Sequence, residues 1–348
     1  MKIKQISKHF LAIVLSLAVL ASTLMLQTFS TFADAATNTW ENGVAIRFDS
    51  GSGTEKDPYI IKTPEQFALF GKYAYNGAKD TDNVEFRTKA YKLANDIVLN
   101  DVTSQAWKDY ATVGGAHEGE RSDELKMWSY GLYWQTSFRG TLNGNGYVIR
   151  GLYVFSDENT NIAGLFRDVN EGAVIKNLGF EDCYVRCNHP TGGMAGALAA
   201  YSLCTNKASV IQNCYVGESV AVYARQVGGF FSTVNTANDI TKIIDSYSSA
   251  TVIPNFPGSF AGAFVGALQG SCLLKTERCF TTQSNLNLVG WVGGTYTASN
   301  CYSVYDSRTG ITNLTSDKMK GDAAKDNMEG FDFVKKWTAR ADNFPCPT

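Results

Sequence analysis

The sequence predicts an all-β fold, a right-handed parallel β-helix solenoid with an α-helical cap at its N-terminal end and a second cap at its C-terminal end. Three observations lead there. Glycine-led apolar bursts recur as Gly164-Leu165-Phe166, Gly192-Gly193-Met194-Ala195-Gly196, Gly228-Gly229-Phe230-Phe231, Gly262-Ala263-Phe264-Val265-Gly266 and Val289-Gly290-Trp291-Val292-Gly293. A second pattern alternates with them, a polar residue, a small residue and then an aromatic: Asn177-Leu178-Gly179-Phe180, Asn213-Cys214-Tyr215, Asp245-Ser246-Tyr247, Arg278-Cys279-Phe280 and Asn300-Cys301-Tyr302. The composition, with Gly 32, Pro 7, Tyr 17 and Phe 20, suits many short strands joined by glycine turns. Copies recur every 20 to 36 residues or so, the window of solenoids and propellers. An irregular β-sandwich is the other architecture that such short strands allow.

Residues 1–35 read as a secretory signal peptide. Lys2, Lys4 and Lys8 precede an uncharged apolar run over residues 10–26, and Ala33-Asp34-Ala35 supplies a small-residue exit. The alternative is a membrane anchor, since the run borders on spanning length. Later segments are too short or too polar to span, so the mature chain is expected outside the cytoplasm with no membrane span. Its charge falls from 31 basic and 33 acidic residues to 28 and 32 once Lys2, Lys4, Lys8 and Asp34 are removed, a net of about −4. That balance offers no footprint for nucleic acid and no polybasic membrane patch.

Residues 36–137 form the N-terminal cap and first coils. A turn-rich stretch from Gly51 leads to the apolar Tyr59-Ile60-Ile61, and Thr63-Pro64-Glu65-Gln66 opens a helix with an N-cap, a first-position proline and a capping-box glutamine. Phe67, Phe70 and Tyr73 or Ala74 place one apolar face on it. Residues 91–99 then alternate as a strand. Residues 138–310 carry the repeats, each coil too short to bury its own apolar face, so coils stack about 4.8 Å apart and like side chains form ladders. Residues 311–348, with Met319, Met328, Phe331, Phe333 and Trp337, form the C-terminal cap. No sorting motif or lipobox cysteine follows, so release or non-covalent retention at the surface is expected.

The bursts Gly193-Met194-Ala195-Gly196 and Gly262-Ala263-Phe264-Val265-Gly266, each followed by an Asn-Cys-Tyr-type strand, resemble the GLUG repeat of bacterial secreted and cell-surface proteins. Phe138-Arg139-Gly140-Thr141-Leu142-Asn143-Gly144-Asn145-Gly146 resembles the strand that opens such regions, and the likeness covers roughly residues 45 to 345. It implies a β-helix of adhesin-like type, or the accessory repeat region of a surface peptidase. Gly229-Phe230-Phe231-Ser232 lacks the closing glycine, and the last burst carries Trp291.

Of the eight cysteines, Cys214, Cys279 and Cys301 share the repeat position held by Leu178 and Ser246 elsewhere, which marks a small inward-facing ladder of unpaired thiols. Cys183 and Cys187 could form a loop disulfide or stay free, and Cys204, Cys272 and Cys346 fit no shared position. Three histidines and no paired C-x-x-C give no zinc pattern, and no cofactor is expected. Between Pro190 and Asn300 the only carboxylates are Glu218, Asp239, Asp245 and Glu277, and Asp245 falls on a turn position. That is thin for a pectate-lyase-like, calcium-dependent enzyme. The motifs H-E-x-x-H, G-x-S-x-G and GK[ST] are missing.

Two functions compete. One is binding, adhesin-like, towards a polysaccharide or a host or cell-surface protein; the other is a carbohydrate-active enzyme. Trp128, Tyr130, Tyr133 and Trp134 follow the mixed-charge run at residues 117–124 and are the expected contact patch, the alternative being that they cover the flank of the first coil. A groove in which two or more carboxylates and a cation face one point would favour the enzyme.

Overall fold

The computed structural model describes residues 39–111, 120–132, 137–203, 206–235, 239–256, 258–340 and 343–347. Residues 1–35, read from the sequence as a signal peptide, lie outside them. From Trp40 onward the chain winds through five parallel sheets that all run along one axis. Sheet 1 stacks Tyr59–Ile61, Ala90–Leu93, Thr141–Asn143, Val174–Lys176, Ser209–Gln212, Ile240–Ile244, Leu273–Glu277 and Thr295–Ser299. Sheet 2 follows at each turn, from Ile97–Val98 through Gly179–Glu181, Tyr215–Val216, Tyr247–Ser248 and Phe280–Thr281 to Cys301–Ser303 and Ile311–Asn313. Sheets 3 and 4 have four strands each and sheet 5 has six. Every solenoid pairing is parallel; the antiparallel ladder Trp337–Arg340 with Asn343–Pro347 belongs to the C-terminal segment. This is a parallel β-helix, and the sandwich alternative falls.

The register explains the uneven repeat. Thr141 pairs with Val174, Val174 with Val210, Val210 with Lys242, Lys242 with Lys275 and Lys275 with Thr297, steps of 33, 36, 32, 33 and 22 residues. The last step is short because that coil adds no strand to sheets 3 and 4.

The polar residue of the second pattern sits at the corner between sheets 1 and 2. Asn177, Asn213, Asp245, Arg278 and Asn300 all have φ between 50° and 55°. Asparagine tolerates that left-handed conformation because its short amide bonds locally. Here the amides also bond along the axis: Asn177 Nδ2 donates to Asn143 Oδ1 (2.9 Å) and Asn213 Nδ2 to Asn177 Oδ1 (2.8 Å). Asp245 breaks the amide run. Its buried carboxylate accepts from Arg278 Nε at 2.5 Å and pairs with Lys336 Nζ at 2.9 Å, which ties the C-terminal segment to the corner.

Inward positions build the core. At the glycine-led corner between sheets 4 and 5 the backbone crowds: a Cβ on Gly228 would strike the carbonyl oxygen of Phe231 in its own coil and come within 2.8 Å of the Phe264 carbonyl oxygen and the Gly266 amide nitrogen of the next. Helix α1 (Pro64–Asn76) closes the N-terminal end. Thr63 caps it, with Oγ1 accepting from the Gln66 amide, and Gln66 Oε1 accepts from the Lys62 amide. Its fully buried Phe67 and Phe70 continue the core; the Phe70 ring lies 4.7 Å from Tyr91, 5.5 Å from Phe138 and 5.6 Å from Phe166.

Candidate functional site

The expected contact patch divides. Trp128 is wholly buried: its ring lies 5.1 Å from Phe67 and 4.8 Å from Tyr130, and its indole N–H donates to the Leu165 carbonyl (2.9 Å). The sequence-based assignment of Trp128 as a contact residue is therefore corrected. A Trp beside an apolar helix gains more by filling the end of the solenoid than by facing water. Tyr130 is half-buried against it, and Tyr133 and Trp134 lie outside the described residues.

The register places Leu178, Cys214, Ser246, Cys279 and Cys301 at one step of the coil, each one residue before the paired Gly179, Tyr215, Tyr247, Phe280 and Tyr302. All five are buried. Among the described residues Cys183, Cys187, Cys214, Cys279 and Cys301 carry free thiols. Cys183 and Cys187 thus form no loop disulfide, and Cys204 lies outside the described residues. Burial pushes the Cys214 thiol up to about 12 and the Cys279 thiol upward as well. Cys214 Sγ donates to the Ile175 carbonyl and Cys279 Sγ to that of Ile243, each on the preceding coil.

The aromatic residue of the same pattern points outward from sheet 2 and forms a column. The Tyr215 and Tyr247 rings are 5.1 Å apart and inclined by 6°, and those of Tyr247 and Phe280 are 4.9 Å apart and inclined by 14°. The C-terminal segment packs on this column: Met319, Ala324 of the short helix α2 (Gly321–Asn327), Met328, Phe331 and Trp337 bury Tyr247, Phe280 and Tyr302. Tyr215 is the ring left half-exposed. The pairing partner of Tyr215 on the coil before is Gly179, and a Cβ there would fall inside the tyrosine ring. The ring leans over this bare backbone, and its hydroxyl donates to Glu181 Oε1 at 2.5 Å.

Beside Tyr215 the surface opens into a hollow of about 200 Å³ lined by Glu181, Tyr215, Glu218, Ser249, Tyr247 and Phe344, with Gly217 and Ser219 completing it. Glu181 also pairs with Arg150 at 2.5 Å, and Arg150 reaches Asp182 at 3.0 Å. The Asp182 amide donates to Ser219 Oγ at 2.8 Å, bracing the turn. Glu218 is exposed at the rim. Ser249 is 8% exposed, and its Oγ has no hydrogen-bond partner among the described residues. A buried hydroxyl without a partner costs stability.

Glycosidic hydrolysis needs one carboxyl kept protonated by burial opposite a second, ionised one. Glu181 is ion-paired and Glu218 stands at the surface, so neither sits in apolar surroundings. Among the described residues no three His, Cys, Asp or Glu side chains come together as a metal-binding group. No helix among them is long and apolar enough to cross a membrane. A second hollow of about 210 Å³, lined by Ala106, Asp109, Tyr110, Arg121, Ser122, Asp123 and Glu124, lies in the mixed-charge region and borders residues outside the described set.

No family model matches the chain. The chain is 27% identical over 216 residues to halomucin of Haloquadratum walsbyi; the match covers 62% of this chain and 2% of that much longer protein. Among solved structures it is similar to a Bacteroides ovatus protein described as a candidate immunoglobulin A1 protease, with 14% identity, a TM-score of 0.48, and coverage of 86% of this chain and 95% of that one.

Sequence reasoning missed the hollow. Glu181 and Asp182 precede the Pro190 to Asn300 stretch whose carboxylates are sparse. The signal was present: aligning Asn177-Leu178-Gly179-Phe180-Glu181-Asp182 with Asn213-Cys214-Tyr215-Val216-Gly217-Glu218, as the sheet 2 register does, sets Asp182 beside Glu218 on neighbouring coils.

Proposed function

We propose that this chain is an exported, surface-associated β-helix protein that binds a carbohydrate, one sugar unit seating in the Tyr215 hollow. The observation that carries the reading is the hollow itself: half-exposed Tyr215 beside two carboxylates. Aromatic walls with a few convergent polar groups are the usual make-up of a small-ligand site. At about 200 Å³ the hollow is below the roughly 300–1,000 Å³ of drug-sized pockets, so it admits one ring and not a long stretch of polymer. Export rests on residues 1–35, and the adhesin-like reading draws further support from the GLUG resemblance.

A glycan array with the exported chain, followed by a product assay on each hit, tests this. Binding without turnover is expected, weakened about tenfold in Tyr215→Ala, a loss of about 1.4 kcal/mol. Tyr215→Phe keeps the ring and separates stacking from the Glu181 hydrogen bond. Release of shortened or unsaturated sugars would replace the binding reading with an enzymatic one.

A further inference from the structure

We infer that Cys279 and Cys301 form a redox couple, a disulfide between them stapling two neighbouring coils at the C-terminal end of the solenoid and its reduction releasing them. The register puts the two side by side. Phe280 pairs with Tyr302, so Cys279 and Cys301, each one residue earlier, stand on neighbouring coils at the same step. The Tyr302 amide donates to the Cys279 carbonyl (2.9 Å), which fixes the two backbones against each other at this point. Parallel neighbours lie about 4.8 Å apart, inside the roughly 4.4–6.8 Å between Cα atoms that a disulfide spans. Both side chains are wholly buried in the core. Burial pushes the Cys279 thiol up, and its hydrogen bond with the Cys301 thiol adds to this. Cys214 is the contrast. Ser246 stands between it and Cys279, so two coil spacings, about 9.6 Å, separate them, beyond the reach of the bond.

The free thiols of the structure are the reduced form. The oxidant is a small-molecule disulfide. One cysteine loses its proton and attacks a sulfur of that disulfide, which expels one small thiol and leaves a mixed disulfide. The second cysteine loses its proton and attacks the protein sulfur of the mixed disulfide, and the other small thiol leaves. The pair has given up two electrons and two protons, and one external disulfide has become two thiols. Cys301 is the first nucleophile. Burial acts upward on its thiol, but hydrogen bonds with Cys279 and Thr276 outweigh burial and hold it below the usual value. Its Sγ lies 3.4 Å from Thr276 Oγ1. Attack requires the last coil to open. Thr295–Ser299, the strand that leads into Cys301, is the edge strand of sheet 1 and is paired on one side only. An end coil of a solenoid opens at lower cost than the whole fold. The staple holds Tyr302, whose hydroxyl donates to the Glu329 carbonyl (3.0 Å) and whose ring lies 5.6 Å from Phe331. The redox state of the pair therefore sets how firmly the C-terminal segment is seated.

The test takes the reduced full chain into glutathione buffers of graded oxidised-to-reduced ratio by two routes, long incubation of the folded chain and refolding from denaturant in the same buffer. Remaining thiols are alkylated, and intact mass with peptide mapping reads the linkage. One reversible Cys279–Cys301 bond is expected, with a mass lower by two hydrogens, forming slowly on the folded chain because both thiols are buried. The bond should raise the melting temperature by about 5–10 °C. It should also slow hydrogen exchange in Cys301–Ser303 and Ile311–Asn313. Cys301→Ser should fold, since Ser246 already holds this ladder position, and should lose both the bond and the rise. Cys214→Ser should change neither. A bond from Cys279 or Cys301 to any other cysteine, or no bond between them by either route, overturns the inference. So does a Cys279–Cys301 bond that leaves the melting temperature unchanged or lower, since it would then staple nothing.

Discussion

Replacing Trp128 by Ala separates its structural role from any role in binding. Trp128 is wholly buried between Trp40, Phe67 and Tyr130, its ring lies where a Cβ on Gly71 of α1 would project, and it donates to the Leu165 carbonyl. Truncation of a buried Trp to Ala costs about 3–5 kcal/mol, from lost burial and the cavity left behind. With roughly 2–4 °C of melting temperature per kcal/mol in chains of this size, Trp128→Ala should melt about 6–20 °C lower. Coils of a solenoid couple mainly to their neighbours, so the damage should stay near the cap. Hydrogen exchange would then rise in Pro64–Asn76 and in the first strands of sheet 1, while Ile240–Ile244 and Leu273–Glu277 stay protected. Trp128→Phe should recover more than half of the loss. A melting temperature lowered by less than about 2 °C, with glycan binding lost, would refute this packing argument and restore Trp128 as a contact residue.

Two further outcomes follow from buried titratable groups. Burial pushes Asp245 up, but Arg278 and Lys336 outweigh it and hold its carboxyl below the usual carboxylate value. Its contribution is therefore complete above the unfolded pKa of about 3.9 and is lost as pH falls through the lower folded value. Acid titration watched by fluorescence of Trp337 should show the C-terminal segment loosening below about pH 4. Asp245→Asn keeps a residue suited to the left-handed corner, removes that acid step and costs roughly 1–3 kcal/mol; an unchanged acid profile would argue against the latch. Cys183, Cys187, Cys214 and Cys279 should react slowly in the native protein, since burial pushes these thiols up and disfavours the thiolate. Unfolding in denaturant should release at least these four further thiols to a colorimetric reagent, and release of none would mean that they are disulfide-bonded.

The solenoid was legible in the sequence because its signals are local and repeat. A residue that must sit at φ near 50° is an Asn, Asp or Arg five times over, followed in four of the five by a small inward residue and an outward ring. The helix at Pro64 announced itself through Thr63 and Gln66, side chains that cap within their own turn. The β-sandwich alternative could not be dismissed from the strands alone, since parallel and antiparallel pairing use the same short apolar segments and differ only in which segment lies alongside.

What the sequence by itself determined is the coil: its corners, its inward ladder, its outward aromatic column and the cap that closes its first end. Each depends on a residue's own backbone preference or on a period along the chain. What only the tertiary structure decided is which outward groups stay in contact with water. Tyr215, Tyr247, Phe280 and Tyr302 occupy equivalent positions, yet the C-terminal segment buries three of them and leaves Tyr215 half-exposed. Trp128 was equally ambiguous, a large aromatic that could serve a surface or a core, until α1 was seen to pack on it. Glu181 and Glu218 lie 37 residues apart and share one hollow because the coil length between them matches one turn of the helix. Solvent exposure and the meeting of distant side chains are properties of how the coils and the terminal segments pack, and a period along the chain carries no information about what a later segment will cover.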